Sequence, residues 1–484
     1  MNSLVALLII FFVIIGTIGF GIFGVRNVRM SPSQFILGGR SFGIIFLWLL
    51  SAGEIYTSFT FLGAAGWAYG RGAPAFYIIC YLTVSCITLF FYFPAIWRIA
   101  QRHGLLTSAD YIGHKYRSPA LGFLAALVGV FFLIPYITLQ LTGIQILLQI
   151  AGYGTINSAG AAGTAFALII GFVWISGLRG AAWASLIKDA LVLAGVIFAG
   201  IVLPIHFFGS PKGVIDAVLK VHPNWMTLVN GTGNYGTVWF MSTVLLSGLG
   251  GFMFPHAFAS NLAAKSPDTI RRNAMILPLY QMMLLLVFFA GFTALLVHPG
   301  LTGAAADQSF MLVVQQHYPP WVLGIIAGAG CLAGLVPAGA QILAAASLLS
   351  RNLFRVREEK LTSATRLWIV VMAVLAFGLW FFNGASLVGL LLISYSGTTQ
   401  LFPGVVLSLR RQPPHPISVA TGILVALAIL AGFAFAQVTA FYGVHVGTVA
   451  LVANVVCLFV VDYLPGRRAK RLTWLSQGSE DRHG

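Results

Sequence analysis

Charge is scarce in this chain. Only 8% of its 484 residues are Asp, Glu, Lys or Arg, and the acids number 11. A soluble domain carries roughly 25% charged residues, so the composition excludes one. Cysteine is scarce too: Cys80, Cys86, Cys331 and Cys457 all lie in apolar runs with no C-x-x-C pair. They read as small buried hydrophobes and say nothing about redox compartment. H-E-x-x-H, a phosphate-cradling P-loop and G-x-S-x-G are all missing, which argues against a membrane enzyme. No basic block is long enough to track a phosphate backbone, so the net charge of +16 does not imply a nucleic-acid partner.

What is present is hydrophobic: 59% of residues, arranged in thirteen runs. Numbered from zero, these spans are roughly 3–25, 43–69, 76–97, 120–150, 157–177, 182–208, 237–262, 273–297, 321–349, 367–383, 386–409, 417–437 and 444–464. About 20 apolar residues cross a bilayer, and hydrocarbon forces each crossing to satisfy its own backbone. The reading is an all-α polytopic membrane protein of about 13 transmembrane helices. Threaded alternately with the N-terminus outside, 24 of the 27 Lys and Arg fall on one side, leaving only Arg71, Lys212 and Lys220 opposite. Positive charge near span ends stays cytoplasmic. The expected placement is therefore the plasma (inner) membrane, with the C-terminus cytoplasmic. The first run, Ser3 to Val25, lacks a preceding basic residue and a cleavage site, and reads as a retained helix. The opposite-side loops 209–236 and 298–320 are long enough to hold short surface helices. The tail 466–484 turns from basic to Gly/Ser/acidic and is expected to be unstructured.

The runs contain a symmetry. Span 1 is interrupted by Ser51, Ala52, Gly53 and Glu54; span 6, five spans later, by Ser247, Gly248, Leu249, Gly250 and Gly251, with Pro255 behind. An odd spacing gives the two broken spans opposite directions, the pattern of an inverted repeat of five helices. The repeats would cover about 43–208 and 237–409 within a transmembrane domain of 1–465. Half-helix ends expose unpaired N–H and C=O groups, so paired breaks point to a binding site at the bilayer midplane.

The only acid deep in a span is Glu54, which falls on the span 1 break. An ionisable group at that depth is a functional candidate by default. A carboxyl that gains and loses a proton is a natural coupling element, a polar plug for freed backbone is one alternative, and direct substrate contact is another. Substrate-binding candidates are Ala52, Gly53, Tyr56, Thr57 and Ser58 on span 1, Tyr136 and Gln140 on one face of span 3, and Gly250 and Gly251 on span 6. Gln341 on span 8 and the cluster Ser394, Tyr395, Ser396 and Gln400 on span 10 complete the set, since polar side chains avoid lipid. No Lys or Arg lies in the middle of a span. The half-helix N-termini at the breaks are therefore the anion site the sequence offers, and they suit a small monovalent acid.

Four stretches resemble the sodium:solute symporter family: FILGGRSFG from Phe35, FLGAAGWAYG from Phe61, GLRGAAW from Gly177 and AASLLSRN from Ala345. The resemblance covers about residues 1–465. It implies a leucine-transporter-type five-plus-five inverted repeat with one extra N-terminal and two extra C-terminal helices. Residues Gly53 to Gly63 and Gly334 to Ala338 resemble the monocarboxylate-permease branch, which implies a substrate such as lactate, pyruvate or propionate. Sodium-coupled members of the family place two adjacent hydroxyl residues in span 8; here Val336 and Pro337 stand there, and no Ser or Thr occurs from Val322 to Ala346. Pro337 lacks an N–H and frees the carbonyl of Ala333, so one family ligand remains as a backbone oxygen. The expectation is a symporter of a small organic acid with no cofactor, Glu54, Ala333 and Pro337 as ion-coupling residues, and H+ as the coupling ion. The alternatives are Na+ coupling with another solute such as an amino acid or sugar, or a membrane solute sensor. The sequence leaves the oligomeric state open.

Overall fold

The computed structural model describes residues 1–23, 36–233, 235–382 and 384–463, with the side chains of 175–179 outside the described set. The tail 466–484 and the first part of the basic segment 26–43 lie outside the described residues. Among the described residues, ten helices are long and apolar enough to cross a membrane, or 12 if each of two bent pairs counts as one span. The shorter apolar helix Ser158–Trp174 supplies the remaining run read from the sequence.

Helical hydrogen bonding runs from Ser158 to Ile197, through the stretch the sequence assigns to a loop between spans 4 and 5. The path still doubles back. Before this helix, Gln315 donates to the Ile150 carbonyl at 2.6 Å; after it, the His206 ring lies 5.3 Å from that of Tyr318. Both ends of the run thus lie beside the short stretch 315–318, whereas a straight helix would carry them roughly 70 Å apart at 1.5 Å per residue. At the far end Gly180 packs on Gly21, near the C-terminal end of span 0.

Several spans start earlier than their apolar runs. Span 9 is Glu358–Phe382, where 367–383 was expected; Glu358 and Glu359 occupy its first turn, where the helix dipole favours acids. Span 7 starts at Pro267 behind Ser266, whose side chain accepts from Thr269 N–H, and a turn at Met282–Met283 precedes its second half, Leu284–Val297. At span 7 a cap, not hydropathy, sets the end. The two long loops carry the expected short helices, Pro211–Val221 and Ser309–His317.

Two spans are broken. Span 1 divides into 1a (Ile44–Ile55) and 1b (Phe59–Arg71), bent by 52°; span 6 divides into 6a (Thr237–Gly250) and 6b (Pro255–Leu262), bent by 47°. Backbone ties 1a to 6b at the basic end: Phe42 N–H donates to Ala263 O at 3.1 Å, and Lys265 N–H to Phe42 O at 2.9 Å. At the opposite end Trp67, Tyr77 and Trp239 form a ring cluster with centroids 5.4 to 5.6 Å apart. Nearby, Asp307 accepts the Leu387 N–H at 2.8 Å, fastening the 298–320 loop to the start of span 10 (Leu387–Thr398). Gly66 of 1b lies against the same aspartate; a Cβ there would stand 2.6 Å from Asp307 Oδ1.

Candidate transport site

At the span 1 break the backbone can be followed bond by bond. Tyr56 N–H makes the last regular bond, to Ala52 O at 3.0 Å. Thr57 N–H is drawn away to Thr60 Oγ1 at 2.7 Å and to Ile55 O at 3.1 Å. Ser58 N–H leaves the helix for Gln140 Oε1 at 3.2 Å. The carbonyl of Gly53, which a regular helix would offer to Thr57, is taken instead by Lys188 Nζ at 2.9 Å. Hydroxyls, an amide side chain and the Lys188 ammonium therefore satisfy what the bend frees, as buried backbone requires.

The span 6 break depends on glycine for close approach. Thr399 Oγ1 donates to Leu246 O at 3.1 Å and Ser85 Oγ to Gly248 O at 3.0 Å. A Cβ on Gly250 would stand 2.0 Å from Thr399 Oγ1, and one on Gly251 would stand 2.3 Å from Ser85 Oγ. Half-helix 6b begins at Pro255 with no side-chain cap, so its first turn points uncapped N–H groups towards the break.

Between the two breaks lies a cavity of about 60 Å³. Span 1a contributes Ser51, Glu54 and Ile55; span 2 contributes Tyr81 and Ser85; Gln281 comes from span 7. Tyr136, Phe254 and Tyr395 form an aromatic wall, with Phe254 centroids 5.1 Å from Tyr136 and 4.9 Å from Tyr395. Glu54 accepts a hydrogen bond from Ser260 of 6b, so the one carboxyl in the cavity bridges both broken spans. His256, the second residue of 6b, also lines the cavity; it is 3% exposed and its Nδ1 has no partner. The uncapped turn and this imidazole offer donors to an anion, while Glu54 offers a proton site.

Of the residues chosen from sequence, Glu54, Tyr136, Gly251 and Tyr395 line this cavity. Thr57, Ser58 and Gln140 shape the backbone of the break behind it. Tyr56 donates to Tyr280 O at 3.1 Å, and Ala52 and Gly53 are buried in the last turns of 1a. On span 10, Ser394 and Ser396 bond carbonyls of their own helix at 3.1 and 2.8 Å. Gln400 is tied to span 12 (Val446–Tyr463) through Gly447 O and Asn454. These three are not in the cavity lining. Ala333 and Pro337 lie in the continuous helix Pro320–Leu348; Gln341, fully buried there, has neither amide atom partnered. Ser58 Oγ stands 2.5 Å from the Cβ position of Gly334, so span 8 packs directly on the break.

Sequence reasoning missed Ser85, Ser260, Gln281 and above all Lys188. That lysine sits at the edge of a basic segment and was counted with the orienting charges, yet its side chain is fully buried. Its neighbour Asp189, an acid one residue further into the span, was the available signal.

Two broken helices paired around a shared cavity are the architecture of membrane transporters of the inverted-repeat class. Among solved structures, a substrate-bound, outward-open Na+-coupled sialic acid symporter shares this fold with a TM-score of 0.77 at 16% identity, covering 94% of this chain and 98% of that one. The nucleobase-cation-symport-1 transporter Mhp1 matches with a TM-score of 0.55 at 11% identity, over 93% of this chain and 96% of that one. The chain belongs to the sodium:solute symporter family, whose model matches residues 35–409. It is 38% identical over 481 residues to the uncharacterized symporter YhjB of Bacillus subtilis, covering 96% of this chain and 98% of the relative. It is 29% identical to a monocarboxylate transport permease protein of Rhizobium johnstonii, over 73% and 71% of the two chains. The sodium/proline symporter of Escherichia coli is 26% identical over 81% and 80%.

Proposed function

We propose that this symporter imports a small monocarboxylate by alternating access between the two broken spans, coupled to protons through Glu54. The observation that carries the reading is the single cavity in which the Glu54 carboxyl faces the uncapped start of 6b and the unpartnered His256 imidazole. The cavity is far below the roughly 300–1,000 Å³ of a drug-sized site, so it suits a compact acid such as acetate, pyruvate or lactate better than a sugar acid. The likeness to a monocarboxylate transport permease supports the same substrate class. In this reading the basic end faces the cytoplasm, 43–208 and 237–409 are the inverted repeats, and substrate and proton leave towards that end.

The relatives favour a second reading. A sodium/proline symporter and a sodium-coupled sialic acid symporter are among the chains this one resembles, and sodium could serve as the coupling ion here. Counterflow of labelled lactate, pyruvate, acetate, alanine, proline and glucose in proteoliposomes, with sodium, potassium or choline, separates the two. Proton coupling predicts uptake driven by an acidic exterior and indifferent to the alkali cation. Glu54→Gln mimics the protonated acid, so it should keep counterflow and lose proton-driven accumulation. A strict sodium requirement that persists in Glu54→Gln refutes proton coupling. The same assay also distinguishes transport from sensing.

A further inference from the structure

Lys188 is buried completely, with its Nζ 2.9 Å from the Gly53 carbonyl and 2.8 Å from Asp189 Oδ1. The contact with Asp189 has ion-pair distance but not hydrogen-bond angles, and neither carboxylate oxygen has a hydrogen-bond donor. Gly53 O is the carbonyl orphaned by the span 1 break, because Thr57 N–H turns away from it. Ser185 Oγ packs on the same glycine, 3.1 Å from its Cβ position, and donates to Ala181 O at 3.0 Å. A freed carbonyl and a carboxylate are oxygens of the kind a hard cation takes, and unwound carbonyls in broken helices hold coupling ions. In this chain an ammonium on a side chain of span 5 already occupies the place. Span 8 meanwhile supplies no hydroxyl before Ser347, which bonds Leu343 O at 2.7 Å, and Ser350, which bonds Ala346 O at 2.8 Å.

We propose that the Lys188 ammonium is this transporter's built-in cation: it fills the oxygen site at the span 1 break that a free metal ion would otherwise fill, and it holds 1a against span 5. The proposal rests on the transport reading, but not on the identity of the solute or on Glu54 as proton carrier. Removing the side chain leaves Gly53 O and Asp189 Oδ1, which lie 2.9 and 2.8 Å from the ammonium, without their cation, so the lost charge becomes replaceable from solution. Lys188→Arg keeps the charge on a longer, planar head and is expected to restore part of the activity.

The experiment uses the full-length protein in proteoliposomes and in detergent. Wild-type uptake should be the same in sodium, lithium, methylammonium and choline. Lys188→Ala in choline should lose about tenfold or more, the scale of one charged buried hydrogen bond. Sodium, lithium or methylammonium should then restore several-fold of that loss with a saturable dependence. The same cations should raise the melting temperature of Lys188→Ala in detergent and leave wild type unmoved, a readout that needs no active transport. A wild-type protein that requires sodium, a Lys188→Ala protein with full uptake in choline, or one whose melting temperature no cation shifts would each overturn the proposal. If no solute is taken up by wild type, the transport reading fails by itself while the melting experiment still decides the role of Lys188.

Discussion

Gly250→Ala is the perturbation whose consequence the structure defines most closely. The new methyl would stand 2.0 Å from Thr399 Oγ1 and 3.1 Å from Tyr395 Cδ1. Thr399 cannot rotate away freely, because its hydroxyl holds the Leu246 carbonyl at 3.1 Å. Overpacking of this kind costs about 1–3 kcal/mol, and the buried hydrogen bond adds about 1 kcal/mol when lost. Alanine in a helix regains about 0.5–1 kcal/mol over glycine, which is too little to reverse the sign. The expected net loss is roughly 1–3 kcal/mol, read by unfolding in mixed micelles with increasing denaturing detergent. Thr399→Ala alone should cost about 1 kcal/mol, the Leu246 carbonyl being left unpaired. The double substitution removes the clashing hydroxyl, so the two changes should couple favourably by about 1–2 kcal/mol instead of adding. Gly250→Leu, which no single truncation can accommodate, should abolish uptake of labelled solute. A neutral Gly250→Ala, or strict additivity with Thr399→Ala, would refute the claim that glycine is present for close approach.

Three further outcomes are expected. Glu54→Asp withdraws the carboxyl by one methylene from Ser260, so the pH optimum of uptake should move while transport survives; an unchanged pH profile contradicts coupling through that carboxyl. Cysteines at Gly213 or Gly303 should react with an impermeant maleimide in intact cells, and those at Ser118, Ser266 or Gln412 only after permeabilisation; labelling at Gln412 in intact cells would invert the proposed orientation. Burial raises the Asp307 carboxyl from 3.8 to about 7, so the folded protein holds that proton more tightly than the unfolded chain. Its stabilising contribution is complete below about 3.8 and is lost as pH rises through about 7. The wild-type melting temperature should therefore fall across that window relative to Asp307→Asn, and parallel curves for the two proteins would contradict it.

The spans and the two breaks were legible in the chain itself, for a physical reason. Hydrocarbon demands long apolar runs, and a bend inside one shows as glycine, proline and a stray polar residue such as Glu54. Span ends were less legible, because a helix goes on beyond the apolar run through polar first turns and caps, as Glu358 and Ser266 show. The site was legible only in part. Ser394, Ser396 and Gln400 look like binding residues by type, yet their bonds go to their own helix or to span 12, and only packing reveals that. Tyr136, Glu54 and Tyr395 lie far apart in the chain and become one cavity wall once spans 1, 3 and 10 meet. Lys188 is the extreme case. By position it looks like one more charge orienting a loop, since sequence records charge and hydropathy but not which distant carbonyl a side chain reaches. Its burial at Gly53 O was decided by the tertiary structure, which bends span 1 and packs span 5 against the freed carbonyl.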